Sequence, residues 1–124
     1  MKVLVIDDDI LLTAMFKTSF EQENFEVRVV NSGLDGIQAA RDMEPDVIVL
    51  DLMMPGIDGW EVCREIRTFS RTPILVLSAV VDSEMVMRAL DEGATDYLVK
   101  PVPPGAVISH LRKLSRNKGD QTAV

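Results

Sequence analysis

Val3-Leu4-Val5-Ile6-Asp7-Asp8-Asp9 opens the chain with an aliphatic run that ends on three carboxylates. The run is short, rich in β-branched residues and lacks apolar–polar alternation, which suits a strand buried on both faces of a parallel sheet. Four more runs of this kind follow: Val27 to Val30, Val47 to Leu50, Ile74 to Leu77 and Tyr97 to Val99. The segments between them have helical spacing. Leu12, Met15, Phe16, Ser19 and Phe20 mark one face of the first helix. Ser32 is placed to cap a helix carrying Ile37 and Ala40, and Asp58 one carrying Trp60, Cys63 and Ile66. A fourth helix runs from about Ser83 through Val86, Ala89 and Leu90, with Gly93 placed to end it. The fifth starts near Pro104 and carries Val107, Ile108, Leu111 and Leu114 on one face. Strict alternation predicts an α/β fold: a doubly wound, five-stranded parallel sheet with five helices and right-handed crossovers. One domain is expected over residues 1–115, with 116–124 a polar tail or the start of a linker.

The 124 residues are 47% hydrophobic and 27% charged, enough apolar content for one core. The net charge of −7 disfavours phosphate backbones and anionic lipid, so neither direct nucleic-acid binding nor membrane binding is expected. No apolar run approaches the ~18 residues that span a bilayer. Met1-Lys2-Val3 leads straight into the first strand, so no signal peptide is expected, and the lone Cys63 has no partner for an internal disulfide. A cytoplasmic protein is the expectation.

The informative polar residues stand where strands end: Asp7, Asp8 and Asp9 after the first, Asp51 after the third, Ser78 after the fourth, Lys100 after the fifth. Parallel strands all end on one edge, so these residues converge there. With strand order 2-1-3-4-5 the first and third strands are neighbours at the switch point where such sheets bind ligands. Only Asn31 and Ser32 follow the second strand, which fits an edge position. Asp7, Asp8 and Asp51 in one pocket repel one another, and hard oxygen ligands suit Mg²⁺, with Mn²⁺ able to substitute. Lys100 adds a positive charge, Ser78 a hydroxyl and Ala79 a backbone amide, a set complementary to a dianionic phosphoryl group. Asp51, central and beside the metal ligands, is the expected nucleophile. Asp9, directly before a helix, reads as its N-cap.

Residues 3–9, the segment Asp51-Leu-Met-Met-Pro-Gly-Ile-Asp-Gly59 and the segment Gly93-Ala-Thr-Asp-Tyr-Leu-Val-Lys-Pro101 together resemble the receiver domains of two-component response regulators. The resemblance runs to about residue 114 with every motif in order. It implies a flavodoxin-like fold and strand order 2-1-3-4-5. It makes Asp51 the phosphoacceptor, with a sensor histidine kinase or phosphotransfer protein as partner. Asp8, Asp51 and the Met53 backbone carbonyl would ligate Mg²⁺, and Asp7 would act through water. Lys100 would pair with the phosphoryl group and Ser78 would swing toward it, while Tyr97 turns inward as the aromatic half of the switch. The Lys100–Pro101 peptide is cis in this family, and some members form homodimers through the fourth helix, fifth strand and fifth helix. Here the chain departs from the pattern: Thr95-Asp96 stands where Asp-Asp is usual, His110 replaces an arginine and Val102 a phenylalanine, although Arg88 and Asp96 remain.

Rival readings rest on specific residues. An aspartyl phosphatase commonly has a second Asp two residues after the nucleophile, where this chain has Met53. A flavin-binding module needs a hydroxyl- or glycine-rich loop after the first strand, where three carboxylates stand. A pseudo-receiver, acting as a phosphorylation-independent interaction module, is the alternative, although no site residue is missing. A non-turnover switch, not an enzyme, is therefore expected. The apolar Met53 and Val80 should flank the approach of attacking water, which predicts slow autodephosphorylation.

Overall fold

Apolar runs and amphipathic segments resolve into ten alternating elements: β1 (Lys2–Ile6), α1 (Ile10–Glu21), β2 (Glu26–Val30), α2 (Gly33–Met43), β3 (Val47–Leu50), α3 (Gly59–Arg67), β4 (Ile74–Ser78), α4 (Ser83–Asp91), β5 (Asp96–Val99) and α5 (Pro104–Thr122). The structure, a computed structural model, describes the backbone of residues 1–122 and the side-chain surroundings of residues 1–116. All strand pairs are parallel and the order is β2-β1-β3-β4-β5, with Val3 level with both Val27 and Val47, and Leu75 level with Asp96. The flavodoxin-like order expected above is the observed one.

A period of two divides each uniformly apolar strand between two cores. Leu4, Ile6, Ile48, Leu50, Ile74 and Val76 pack with Ala39, Ala40, Val62 and Ile66 on the α2–α3 side. Val3, Val5, Val47, Val49, Leu75 and Leu77 pack with Phe16, Phe20, Val107, Leu111 and Leu114 of α1 and α5. The Phe16 and Phe20 rings stack with centroids 5.3 Å apart. The central strands are thus covered on both faces, which is why they read as continuous aliphatic runs.

Side chains start four of the helices. Asp9 accepts from the Leu12 amide at 3.0 Å, Ser32 from Asp35 at 3.2 Å and Asp58 from Glu61 at 2.9 Å. Asp82 caps α4 by accepting from the Glu84 and Met85 amides. Such a cap stabilises its helix by about 1 kcal/mol. Gly93 follows α4 with φ +112°, a conformation that a side chain would strain.

Two expectations need correction. On α1 the buried positions are Thr13, Phe16 and Phe20, while Met15 is 44% exposed. Thr13 sits three and seven residues before the two phenylalanines, and its hydroxyl is satisfied by the Ile10 carbonyl, so it enters the core without an unpaired polar atom. On α4 only Ala89 is fully buried, and Leu90 faces solvent. The helix α5 runs on to Thr122, with no proline after Pro104 to stop it, and the last two residues of the expected tail, 123 and 124, lie outside the described residues.

Candidate functional site

The site is assembled by continuing the strand ladders one residue past their ends. The Asp51 amide donates to the Ile6 carbonyl at 3.0 Å, Asp7 to Val30 at 3.2 Å and Lys100 to Ser78 at 3.0 Å. Asp51 is thereby held beside Asp7, and Lys100 beside Ser78. One carboxylate oxygen from each of Asp7, Asp8 and Asp51 lies within 4.8 Å of the others. Asp7 and Asp51 are buried while Asp8 is exposed, so the cluster opens to solvent on one side.

Lys100 bridges the two buried carboxylates. Its Nζ lies 2.7 Å from Asp7 Oδ2 and 3.7 Å from Asp51 Oδ2. Only the first is a hydrogen bond; the second is a charge contact. Asp7 Oδ1 accepts the Asp9 amide at 3.0 Å, and Asp51 Oδ1 accepts the Met53 amide at 3.4 Å. Burial, and then the Asp7 charge, push the Asp51 carboxyl above its ordinary value, against the pull of Lys100, the Ser78 hydroxyl and the Met53 amide. Burial alone would lower Lys100, but its bond to Asp7 and the charges of Asp51, Asp7 and Asp9 carry it above its ordinary value. A strained carboxylate group held against one cation has room, electrostatically, for a second positive charge.

Ser78 is fully buried, and the Val80 amide points to its Oγ at 3.5 Å. Tyr97 donates its hydroxyl to the Val80 carbonyl at 2.6 Å, and its ring packs against the α2–α3 core. Burial pushes the Tyr97 hydroxyl up, so it stays a donor at neutral pH. Ala79 is exposed at the start of the β4–α4 loop. Met53 is 60% exposed and Val80 half-buried. The Lys100–Pro101 peptide is cis.

Asn31, read from the sequence as part of an uninvolved edge, reaches the site. Its Nδ2 donates to the Asp7 carbonyl at 2.8 Å and to Thr13 Oγ1 at 3.1 Å, tying the acidic loop to β2 and α1. An asparagine directly after the strand beside β1 was the available signal. The charged residues expected in a dimer network are engaged within the chain. The Arg88 guanidinium lies 5.0 Å over the Trp60 ring, and Asp96 accepts from the Tyr97 amide. His110 Nδ1 sits 2.9 Å from the Ala106 carbonyl. Cys63 is a buried core residue whose thiol is pushed up to about 11 by burial, which leaves it unreactive.

A doubly wound sheet bearing three carboxylates, a lysine and a buried serine at its switch-point edge defines the receiver class. Comparison with known proteins agrees: residues 3–112 match the response regulator receiver domain family, and the chain belongs to it. It is 37% identical over 122 residues to the DNA-binding response regulator MtrA of Mycobacterium tuberculosis, covering 98% of this chain and 54% of MtrA. It is 42% identical over 114 residues to the transcriptional regulatory protein AfsQ1 of Streptomyces coelicolor, covering 92% of this chain and 50% of AfsQ1. The chain therefore spans about half the length of these curated relatives. Among solved structures, the receiver domain of Francisella response regulator 1452 superposes with a TM-score of 0.88 at 33% identity, covering 94% of this chain and 98% of that one. The chain is a receiver domain of the two-component response regulators.

Proposed function

We propose that Asp51 takes a phosphoryl group from a phosphohistidine on a sensor histidine kinase or phosphotransfer protein. The observation that carries this reading is the convergence of Asp7, Asp8 and Asp51 within 4.8 Å, with Lys100 between the two buried members. Asp8, Asp51 and the Met53 carbonyl are assigned as ligands of Mg²⁺, with Mn²⁺ able to substitute and Asp7 acting through water. All are hard oxygen donors on an edge open to solvent, which fits a cation that keeps several waters. A cation held there would supply positive charge to the phosphoryl oxygens. An Asp51 Oδ attacks phosphorus, the P–N bond breaks, and the imidazole departs with the electron pair and takes a proton. Lys100, the Ser78 hydroxyl and the Ala79 amide then hold the added charge.

In this reading the domain is a switch, acting in the cytoplasm without direct contact to nucleic acid or membrane. Ser78 moves toward the phosphoryl group, Tyr97 follows, and the α4–β5–α5 face changes for partners that distinguish the two states, a second copy among them. With Met53 two residues beyond Asp51, the site lacks the acid–base carboxylate of a turnover phosphatase.

The stability of the metal-free domain tests the carboxylate cluster. Because Asp51 is raised when folded, it binds more protons folded than unfolded. It therefore costs stability at neutral pH, and the cost fades as pH falls through the folded value toward the unfolded one. Metal-free Asp51→Asn should melt roughly 2–8 °C above wild type at pH 7, the shift that about 1 kcal/mol gives. The gap should narrow toward pH 4, and Mg²⁺ should raise the wild-type melting temperature more than that of the variant. Equal Mg²⁺ responses would remove Asp51 from the ligand set.

The lifetime of the acyl phosphate tests the apolar flanks. Met53 and Val80 offer an attacking water no hydrogen bond, so Met53→Asn combined with Val80→Glu should speed dephosphorylation roughly tenfold to a hundredfold. An unchanged decay, followed by intact mass over time, would count against that role.

A further inference from the structure

The helix α4 has little apolar anchorage: Ala89 is its one fully buried residue, while Met85 and Met87 are 47% and 61% exposed. Donors on a single stripe of α3 hold it instead. Trp60 Nε1 donates to the Met85 carbonyl at 3.0 Å, Cys63 Sγ to Glu92 at 3.4 Å and Arg67 Nε to Gly93 at 2.9 Å. Spacings of three and four residues put all three donors on one helix face. Two of them grip the far end of α4. Among the described residues Trp60 is the α3 side chain that grips the near end, three residues past the cap Asp82, with Arg88 of α4 lying over its ring.

That near end continues directly into the Ala79–Val81 loop, whose Val80 carbonyl accepts from Tyr97. On its other side Trp60 is tied to the acceptor strand. The preceding Gly59 donates to the Leu52 carbonyl at 2.9 Å, and a Cβ on it would lie 2.3 Å from the Asp51 carbonyl oxygen. The first turn of α3 therefore lies against the backbone of Asp51 and Leu52 through Gly59, and its Trp60 indole reaches the first turns of α4.

We propose that Trp60 is a positioning residue for phosphoryl capture: its indole N–H and the Arg88 stack clamp the start of α4 to α3. The clamp holds the loop after Ser78 where the Ser78 hydroxyl and Ala79 amide meet the phosphoryl group. This deepens the acceptor reading of Asp51 and rests on it. Asp8, Asp51 and Met53 stand on the loops after β1 and β3, whereas the clamp fixes the loop after β4, and Trp60→Phe keeps the Gly59 bond to Leu52, so Mg²⁺ binding alone does not depend on the clamp. Loosening the clamp separates the two affinities.

The test is calorimetric titration of Mg²⁺, and then of beryllofluoride in saturating Mg²⁺, into wild type, Trp60→Phe, Arg88→Met and Cys63→Ala. Trp60→Phe keeps an apolar ring and loses the donor. It should weaken beryllofluoride binding roughly threefold to tenfold, the span of one neutral hydrogen bond, with Mg²⁺ affinity unchanged. Arg88→Met should weaken it roughly twofold to fivefold. Cys63→Ala loosens the far end of α4 and lowers thermal stability, yet should bind beryllofluoride as wild type does. Wild-type affinity in Trp60→Phe, a parallel loss of Mg²⁺ affinity, or an equal loss in Cys63→Ala would each overturn the proposal. A wild type that binds no beryllofluoride would instead overturn the acceptor reading, and this inference with it.

Discussion

Lys100→Ala should slow phosphorylation of Asp51 by acetyl phosphate roughly a hundredfold to a thousandfold, read as intact mass against time. Lys100 is the cation of the pocket, 2.7 Å from Asp7 and 3.7 Å from Asp51. Negative charge that builds on the transferring phosphoryl oxygens meets that ammonium in a half-buried setting, where a fixed charge acts more strongly than in water. Its loss also leaves Asp7 and Asp51 buried side by side without their counter-ion. The Lys100 ammonium is raised in the folded state, so its contribution to stability is fully present below its unfolded value. That contribution is lost only as pH rises through the folded value. At neutral pH the variant should therefore be less stable than wild type, and acidification should narrow the gap as the Asp51 carboxyl, already raised by burial, protonates. Arginine should rescue stability better than rate, because its planar fork does not reproduce a point charge between two carboxylates. A Lys100→Ala domain phosphorylated at the wild-type rate would remove Lys100 from the chemistry.

Gly59→Ala should destabilise the domain by about 3 kcal/mol or more, measured by urea unfolding. A Cβ there would stand 2.3 Å from the Asp51 carbonyl oxygen, 2.5 Å from Leu52 Cα and 3.0 Å from the Asp51 carbonyl carbon. These are backbone atoms of the segment that carries the acceptor, so no side-chain rotation relieves the clash. Either α3 retreats from β3, or Asp51 moves away from Asp7. Gly56, in the loop that leads into α3, meets nothing within 4 Å, so its demand is conformational: its φ of +79° suits glycine. If Gly59→Ala unfolds at the wild-type urea concentration, the close approach of α3 to the acceptor strand is not what sets this position.

Much of this architecture is legible in the sequence because strand ends in a parallel sheet share an edge. Asp7, Asp8, Asp51, Ser78 and Lys100 each follow or close an aliphatic run, so the order of the strands alone brings them together. The caps at Asp9, Ser32 and Asp58 are local events, decided by residues within one turn, and are equally readable. Contacts between elements are less so. Thr13 replaces Met15 in the core because a distant asparagine and a nearby carbonyl satisfy its hydroxyl. Asn31 joins the site through the Asp7 carbonyl, and its place directly after the strand beside β1 is the one hint the sequence carries of that backbone contact. Trp60 reads as a core residue from its spacing. Its donation to Met85 is visible only once α3 and α4 lie side by side. The exposure of Leu90 has the same origin, since the α4 periodicity is helical but the neighbours available to cover it are few.

Asp51 as a Mg²⁺-dependent phosphoacceptor is a matter of mass, because one phosphoryl group on the intact chain is directly weighable. Wild type and Asp51→Asn are each incubated with acetyl phosphate, with and without Mg²⁺, and weighed. Wild type with Mg²⁺ should carry one phosphoryl adduct, with none in the absence of the ion and none on the variant. An unmodified wild type that nonetheless binds Mg²⁺, or an adduct that persists in Asp51→Asn, would take the acceptor role from Asp51 and favour a phosphorylation-independent interaction module.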